Sequence, residues 1–477
     1  MTNTSGPDRD DHLPAREAAS WDNSLDTAGD ATIAERTPLN EDEDDTSEAF
    51  KAAHPDTFRN YLRRRTSVFV VAYVGYVCAY LVRNNFKLTS EEMRLANDWT
   101  LPQIGWVLTA FTVTYGFGKF FMGMLVDRTS LRKTFAGALG ISAILCILIG
   151  FNSSYALLCV LMFLLGAVQG ALAPASMAMI ANWYPNKTRG SGIAIWNTSQ
   201  NLGGAALPII ITGLLAFAGP RNLAIAFWVP GLVVLVLSAI FWKFGGDRPE
   251  DEGMPTLREI YGRAGEPNTD EKPDDSYWNI LVRFVFTSPL VLTVAFINAA
   301  LYFLRFGILN WMPAFLGTEM GFSTGQYQMA FSVLEWVAIP GSFLFAWISV
   351  KLPSRQSLVG CVGLVALAGL IVFYMGNHSY PLLLICSGLM GALIYGPQLI
   401  VNILTLNFVP LKAAGVAVGF VGLFGYIVGE LCANLVMPYL ADIFSWDVAL
   451  IFLASISVVA ALLYLSLSKR EAAVVAA

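Results

Sequence analysis

Charged residues are scarce in this sequence. Asp, Glu, Lys and Arg make up 14% of its 477 residues, whereas hydrophobic residues make up 55%. Because soluble chains average about 25% charged residues, this composition excludes an ordinary soluble domain and predicts an integral membrane protein. Histidine occurs three times, at His12, His54 and His378, with no spacing typical of a metal or catalytic site. The sequence also lacks a nucleotide-binding loop and a catalytic triad, so we expect neither an enzyme nor a bound cofactor.

The cysteines do not indicate a disulfide-bonded fold. The six cysteines have no regular spacing, and all fall inside apolar segments: Cys78, Cys146, Cys159, Cys361, Cys386 and Cys432. We interpret them as small buried hydrophobic residues rather than as disulfide partners or metal ligands. The first fifty residues contain no apolar core, which argues against a cleavable signal peptide.

Charge and hydropathy divide the chain into an acidic start and an apolar remainder. Residues 1–58 contain 15 acidic and 4 basic residues, which predicts a disordered N-terminal tail. Beyond it, apolar stretches long enough to cross about 30 Å of hydrocarbon alternate with short polar breaks. We predict twelve transmembrane helices, at 66–87, 101–126, 133–151, 155–182, 189–217, 222–244, 287–312, 325–350, 356–376, 380–408, 412–440 and 446–468.

The longest polar break separates the predicted helices into two groups of six. The predicted domains are a six-helix bundle over 59–244, a cytoplasmic linker over 245–286, a second bundle over 287–468 and a tail over 469–477. Lys and Arg cluster in the breaks on the side of the N-terminus, and the opposite breaks hold only Lys87, Arg94 and Arg221. The positive-inside rule therefore places both termini in the cytoplasm, and two bundles that both start there form a parallel repeat.

Two arginines lie within predicted helices at matching places in the two halves. Arg83 and Arg305 each end a Tyr-x-x-Arg run. A guanidinium stays charged in proteins and costs at least about 3 kcal/mol at the centre of a membrane helix. Because both halves bear this energetic cost, we expect the two arginines to share a function. The simplest such function is to bind one polyanion with both guanidinium groups. Alternatively, each arginine extends toward the membrane surface or pairs with one of the acids within the spans, Glu335 and Glu430.

Six short segments of the sequence carry a more specific signal. One runs from Gly123 to Lys133, and its counterpart at 346–355 lacks the acidic residue. The other five are Tyr80-Leu-Val-Arg83-Asn-Asn-Phe86, Tyr115-Gly-Phe-Gly-Lys119-Phe-Phe-Met-Gly123, Trp196-Asn-Thr-Ser-Gln200-Asn-Leu-Gly-Gly204, Tyr302-Phe-Leu-Arg305-Phe-Gly-Ile-Leu-Asn-Trp311 and Val421-Gly-Leu-Phe-Gly-Tyr426. The first resembles the signature loop of the major facilitator superfamily, and the five resemble its organophosphate:phosphate antiporter family. The resemblance covers roughly residues 60–468. It implies an all-α membrane protein with twelve transmembrane helices in two pseudo-symmetric bundles.

The resemblance also implies a substrate site. In that family the arginines that match Arg83 and Arg305 clamp the substrate phosphate, and the lysine that matches Lys119 assists them. The family also uses a histidine, but Gln200 takes its place here, and glutamine is a neutral hydrogen-bonding group that does not titrate. Further matches to substrate-cavity positions, each equally well explained by helix packing, are Tyr76, Tyr80, Tyr302, Tyr395, Tyr426, Trp196 and Asn201.

Glu335 and Glu430 have several possible roles, since an acid within a membrane span is functional by default. Each could balance the arginines of an empty carrier, select the organic part of a substrate or titrate as a proton site. The family's hexose-phosphate branch has an acid near the place of Glu430, which slightly favours the selecting role. We expect three charged residues at the inner membrane surface to form a conformational latch between helices: Asp127, Arg128 and Arg132.

These features predict a secondary transporter of the bacterial inner membrane. It would exchange an organic phosphate ester, such as glycerol-3-phosphate, a sugar phosphate or phosphoglycerate, for inorganic phosphate by alternating access. We expect these anions and the lipid bilayer as its partners, no nucleic acid, and a monomeric carrier. Two alternatives remain open, a proton-coupled organic anion symporter and a membrane sensor of sugar phosphates that has the transporter fold but transports nothing.

Overall fold

The computed structural model describes residues 41–125, 129–219, 221–262, 279, 282–409 and 413–476. All regular secondary structure in these ranges is helical. The six long helices of the first half are α1 (Pro55–Leu81), α2 (Leu101–Leu125), α3 (Leu131–Gly150), α4 (Tyr155–Trp183), α5 (Asn186–Ala218) and α6 (Ile225–Phe244). The six of the second half are α7 (Pro289–Leu309), α8 (Thr324–Lys351), α9 (Gln356–Met375), α10 (Tyr380–Asn407), α11 (Ala414–Ile443) and α12 (Trp446–Ala476).

Short helical segments complete the described chain. They are Glu41–Ala53, Asn85–Leu88, Ser90–Ala96, Glu250–Glu252, Leu257–Tyr261, Met312–Ala314 and the π-helical stretches Val282–Phe286, Phe315–Glu319 and Gly425–Glu430. The last of these lies within α11. A π-helical turn inserts one extra residue into the backbone ladder, so it changes which side chains point toward the neighbouring helix.

Ten of the described helices are long and apolar enough to cross a membrane. These ten are α3–α6 and α7–α12, so the protein is an all-helical, multi-pass membrane protein. Helices α1 and α2 have 27 and 25 residues, which is enough length to span, but polar and tyrosine residues lower their hydropathy. Twelve spans therefore stay a prediction, with α1 and α2 as the additional two.

The same helix pairs pack together in both halves. In the first half α2 packs on α4, α3 on α6, and α1 on α5. In the second half the equivalent pairs are α8 on α10, α9 on α12, and α7 on α11. The two halves meet where α5 packs on α8 and where α2 packs on α11. This repetition fits the parallel repeat that the sequence predicts.

A carboxylate caps the third helix of each half in the same way. Asp247, just after α6, accepts a hydrogen bond from the backbone N–H of Arg132 at 2.7 Å, at the start of α3. Glu471, near the end of α12, accepts hydrogen bonds from the backbone N–H groups of Gln356 (2.7 Å) and Ser357 (2.8 Å), at the start of α9. Each cap fixes the third helix of its half to the sixth, because the first N–H groups of a helix have no partner within it.

Three predicted boundaries differ from the structure. The tail was expected to lack structure up to residue 58, but Glu41–Ala53 is helical and α1 already begins at Pro55, while residues 1–40 lie outside the described residues. A tail was also expected from residue 469, but α12 continues to Ala476 because Glu471 is held against α9. Within the predicted linker, residues 250–252 and 257–261 form short helices.

Candidate functional site

Arg83 lies just beyond the end of α1, in a break that the sequence pattern did not predict. Its backbone N–H donates to the carbonyl oxygen of Tyr80 at 3.3 Å, which turns the chain back after Leu81. The side chain is only 9% exposed. Its guanidinium carbon lies 4.0 Å from the ring centre of Tyr115 and 4.9 Å from that of Phe111. The arginine therefore points into the protein and not toward the membrane surface.

Arg305 lies inside α7 in similar surroundings. It is 7% exposed, and its guanidinium carbon lies 4.3 Å from the ring centre of Tyr395 and 5.2 Å from that of Phe306. Its Nε atom is buried and has no hydrogen-bond partner among the described residues. On the other side, the guanidinium carbon of Arg83 also lies 5.3 Å from the ring centre of Tyr80.

Neither arginine forms an ion pair within 4.0 Å in the part of the chain that the structure describes. Aromatic ring faces attract both cations without using up their N–H donors. Two buried guanidinium groups held by ring faces are suited to hold an anion with several oxygens, since each can make two parallel hydrogen bonds.

Glu335 on α8 holds the two halves together beside Arg305. Its two carboxylate oxygens accept hydrogen bonds from Tyr395 Oη at 2.8 and 2.9 Å, and Oε2 also accepts one from Asn201 Nδ2 on α5 at 2.8 Å. The carboxylate also attracts Arg305. Both carboxylate oxygens therefore have partners on neighbouring helices, and the three roles that the sequence allowed for Glu335 stay predictions.

Aromatic rings connect the two arginines across the interface between the halves. In the first half, the Tyr76 ring lies 4.6 Å from Trp196 and 5.7 Å from Tyr80. Across the interface, the Tyr426 ring lies 5.1 Å from Tyr115 and 4.9 Å from Tyr302. The Nε1 atom of Trp196 is buried, and no described residue accepts a hydrogen bond from it. The structure thus brings all the predicted aromatic residues into one region.

Lys119 and Gln200 also reach this region. The Nζ atom of Lys119 lies 5.5 Å from the ring centre of Tyr426. The Oε1 atom of Gln200 accepts a hydrogen bond of 3.3 Å from Tyr80 Oη. A neutral glutamine is thereby placed beside the tyrosine whose ring lies 5.3 Å from the guanidinium carbon of Arg83.

Lys87 is a fourth cation that the sequence analysis assigned to an outer loop. It lies in the segment Asn85–Leu88, and its Nζ atom is 5.0 Å from the ring centre of Phe306, whose ring also faces Arg305. The one signal in the sequence is its spacing, because Lys87 follows Arg83 by four residues. We call Arg83, Lys87, Lys119 and Arg305 the cation cluster.

Glu430 lies at the end of the π-helical stretch and is 2% exposed. Its Oε1 atom lies 3.0 Å from Thr112 Oγ1 on α2, whereas its Oε2 atom has no hydrogen-bond partner. Thr112 in turn accepts a 3.0 Å hydrogen bond from Asn434 Nδ2, and Asn434 Oδ1 accepts a 2.6 Å bond from Asn310 Nδ2. We call these four residues the polar chain. The sequence analysis missed Thr112, Asn434 and Asn310.

Polar contacts close one end of the interface between the halves. Glu91 accepts hydrogen bonds from Arg94 and from Thr318 Oγ1, which lies 2.5 Å from it in the other half. Glu92 accepts a 2.6 Å bond from Thr324 Oγ1 and another from the hydroxyl of Tyr327. We call these six residues, which come from the loop between α1 and α2, the loop between α7 and α8 and the first turn of α8, the clasp: Glu91, Glu92, Arg94, Thr318, Thr324 and Tyr327.

Of the three residues of the predicted latch, Asp127 and Arg128 lie outside the described residues. The backbone N–H of Arg132 donates a hydrogen bond to Asp247. Among the described residues, no cluster of three or more His, Cys, Asp or Glu side chains could hold a metal ion.

Comparison with known proteins identifies the family. The pattern of the Major Facilitator Superfamily matches residues 72–431. The chain belongs to this superfamily. It is 31% identical to the glycerol-3-phosphate transporter of Bacillus subtilis, covering 86% of this chain and 93% of the relative. It is 30% identical to the phosphoglycerate transporter protein of Salmonella typhimurium, covering 86% of this chain and 90% of the relative. A hexose-6-phosphate:phosphate antiporter of Escherichia coli is 29% identical, covering 78% of this chain and 82% of the relative.

These relatives confirm the resemblance found in the sequence: this superfamily member is related to organophosphate transporters. The fold agrees as well. A bacterial homologue of the human lysosomal transporter Spinster, solved in an inward-facing, unoccupied conformation, superimposes with a TM-score of 0.72. That match covers 85% of this chain and 97% of the other at 14% sequence identity, so it concerns the fold alone.

Proposed function

We propose that this superfamily member exchanges an organic phosphate ester for inorganic phosphate, with Arg83 and Arg305 clamping the phosphate group. The observation that carries the proposal is the pair of buried guanidinium groups, one from each half, that face rings and form no ion pair within 4.0 Å with any residue that the structure describes. A phosphate dianion would supply the missing negative charge to both at once. Lys119 and Lys87 would add attraction as point charges.

The charge of the site also explains why exchange, and not leak, would result. Two guanidinium groups that face one empty region repel each other, and burying them without an anion is costly. A bound phosphate removes the repulsion, so the halves can close around it. Without an anion the carrier would change its open side slowly, which links the exit of one anion to the entry of another.

The organic part of the substrate is proposed from the relatives. Their names refer to glycerol-3-phosphate, phosphoglycerate and hexose-6-phosphate, which share a phosphate monoester group. Trp196 Nε1 and the ring faces of Tyr76 and Tyr302 would lie against the carbon skeleton, since rings pack on its C–H groups and the indole donates to its oxygens. We propose that both termini face the cytoplasm, since the positive-inside rule favours that orientation.

Counterflow of labelled phosphate in proteoliposomes tests this function. Vesicles loaded with unlabelled phosphate should transiently accumulate external labelled phosphate, and external glycerol-3-phosphate or glucose-6-phosphate should compete. A sensor would show no counterflow. A carrier whose vesicles take up phosphate equally well with and without internal phosphate would contradict exchange as its mode.

A further inference from the structure

The hydrogen atoms available in the polar chain restrict the protonation state of Glu430. Thr112 Oγ1 has three close partners: the carbonyl oxygen of Leu108 at 3.0 Å, Glu430 Oε1 at 3.0 Å and Asn434 Nδ2 at 3.0 Å. A hydroxyl has one hydrogen to donate and two lone pairs to accept with. The carbonyl oxygen can only accept, and the amide nitrogen can only donate.

A proton on Glu430 satisfies all three contacts at once. Thr112 then donates to Leu108 and accepts from both Asn434 Nδ2 and the carboxyl O–H of Glu430. If Glu430 is ionised, one hydroxyl hydrogen must serve two acceptors. An ionised Glu430 would also leave Oε2 as a buried charged oxygen without a hydrogen bond, which is costly. The closed arrangement therefore favours the protonated carboxyl.

Positive charges oppose this proton when the site is empty. Three cations act on Glu430 from the surrounding elements, namely Lys87 from the segment after α1, Arg83 from the end of α1 and Arg305 from α7. Helix α2 presents Thr112 to it, and Tyr302 of α7 packs beside the adjacent Gly429. A dianion bound between the arginines would screen the three cations, so the opposition to a proton on Glu430 would fall.

We propose that Glu430 is a proton-binding site, and that the carrier takes up a proton together with its anion. The inference rests on the proposed function, because the bound phosphate is what screens the cations, but it adds proton-coupled net uptake to exchange. While the site is open, water delivers a proton and an O–H bond forms at Glu430. The O–H group then donates to Thr112 of the other half, which stabilises closure. When the opposite side opens, the O–H bond breaks, and the proton returns to water on that side.

Gradient-driven uptake of inorganic phosphate into proteoliposomes tests the proposal. The vesicles contain no phosphate, and the outside is more acidic than the inside. Wild type should accumulate labelled phosphate, more slowly than it exchanges phosphate because the empty carrier must return, and a protonophore should abolish the accumulation. Phosphate itself titrates, so the decisive quantity is the difference between wild type and Glu430→Gln. The variant should fall to the small accumulation that the titration of phosphate alone produces, while its phosphate–phosphate exchange continues.

A matched pair on α2 covers the case in which Glu430→Gln does not fold. Thr112→Val removes the hydroxyl that accepts the hydrogen bond from the protonated Glu430. This variant should also reduce gradient-driven accumulation of phosphate. Thr109→Val is the control, because Thr109 is buried on the same helix and its hydroxyl has no hydrogen-bond partner. It should behave like wild type.

The outcomes separate the two proposals. Equal gradient-driven accumulation in wild type, Glu430→Gln and Thr112→Val, with exchange intact in each, would overturn the proton site and leave the exchange function standing. A Glu430→Gln variant that keeps its response to the gradient but changes its preference among phosphate esters would also overturn it, in favour of a selecting role. The absence of phosphate exchange in wild type would instead contradict the proposed function.

Discussion

Single residues of the site are placed by ring faces more than by opposite charges. Arg83 follows the end of α1 and Arg305 lies within α7, yet each guanidinium carbon is within 4.3 Å of a tyrosine ring centre. A ring face holds a cation in position and leaves its N–H groups free. The same tyrosine network presents Gln200 to Tyr80 at 3.3 Å. Because Gln200 is neutral, replacing it with a titratable residue should change how transport depends on pH.

We predict that Gln200→His adds a titration to phosphate exchange. Glutamine does not titrate, whereas a histidine beside Tyr80 would change charge near pH 6–7, close to its unperturbed pKa of about 6.5. The variant should therefore show one inflection, common to all substrates, that the wild-type profile lacks. Ser191→His is the control at an exposed position of the same helix. A Gln200→His pH profile that coincides with the wild-type profile would contradict the prediction.

At the same scale, sequence reasoning found the residues that carry a motif and missed those that act through another helix. Arg83, Arg305 and Lys119 stand in recognisable runs, and Glu335 is conspicuous as an acid within a span. Thr112 is ordinary in sequence, and its importance arises because α2 packs on α11 and brings it to Glu430. Periodicity describes one helix at a time, so it does not reveal such pairs.

At the level of helices, two glycines let the arginine-bearing segments approach their neighbours. A Cβ atom on Gly203 of α5 would lie 2.7 Å from both the Val77 carbonyl oxygen and the Tyr80 Cβ atom. A Cβ atom on Gly429 of α11 would lie 2.3 Å from the Ala299 carbonyl oxygen. Both glycines allow backbone contact next to the tyrosine that precedes an arginine by three residues. Small residues at such contacts are typical of membrane helix packing.

We predict that Gly429→Ala destabilises the protein and lowers exchange. The added methyl group meets backbone atoms that cannot move without shifting α7, and overpacking of this kind costs about 1–3 kcal/mol. Gly422→Ala on the same helix is the matched control, since its Cβ atom would meet nothing within 4 Å. Thermal unfolding of the purified variants measures the difference. Equal melting temperatures for the two variants would show that the close contact between Gly429 and α7 does not contribute to stability.

Helix existence was largely predictable, and helix ends were less so. The long apolar stretches α3–α12 correspond to predicted helices. The break at Arg83 was not predicted, because no Pro or Gly marks it in the sequence. It depends on the turn at Tyr80 and on the burial of Asn85, whose Nδ2 atom donates to the Ala226 carbonyl oxygen of α6 at 2.7 Å. This contact between distant segments overrides the local preference for a continuous helix.

At the scale of the whole molecule, the clasp joins the two halves at one end. We predict that Glu92→Gln weakens this closure, because hydrogen bonds to a charged group contribute about 1.5–3 kcal/mol. Hydrogen–deuterium exchange should rise in residues 85–96 and 311–328 of the variant. Asp98→Asn removes a charge from an exposed position of the same loop and should leave hydrogen–deuterium exchange in both segments unchanged. Equal protection in Glu92→Gln and wild type would exclude Glu92 as a closing contact.

The central claim is that one phosphate is held by both halves at the same time, and a double-mutant cycle of phosphate binding tests it most directly. Arg83→Lys and Arg305→Lys keep the charge but remove the two-pronged contact, and each should cost at least about 2 kcal/mol of binding free energy, or roughly 30-fold in affinity. If the two arginines hold the same anion, the combined variant should lose clearly less than the sum of the two losses, because coupled contacts are not additive. Arg221→Lys, at an exposed position, should bind phosphate like wild type. Strictly additive losses, or near-normal phosphate binding in either single variant, would contradict the clamp.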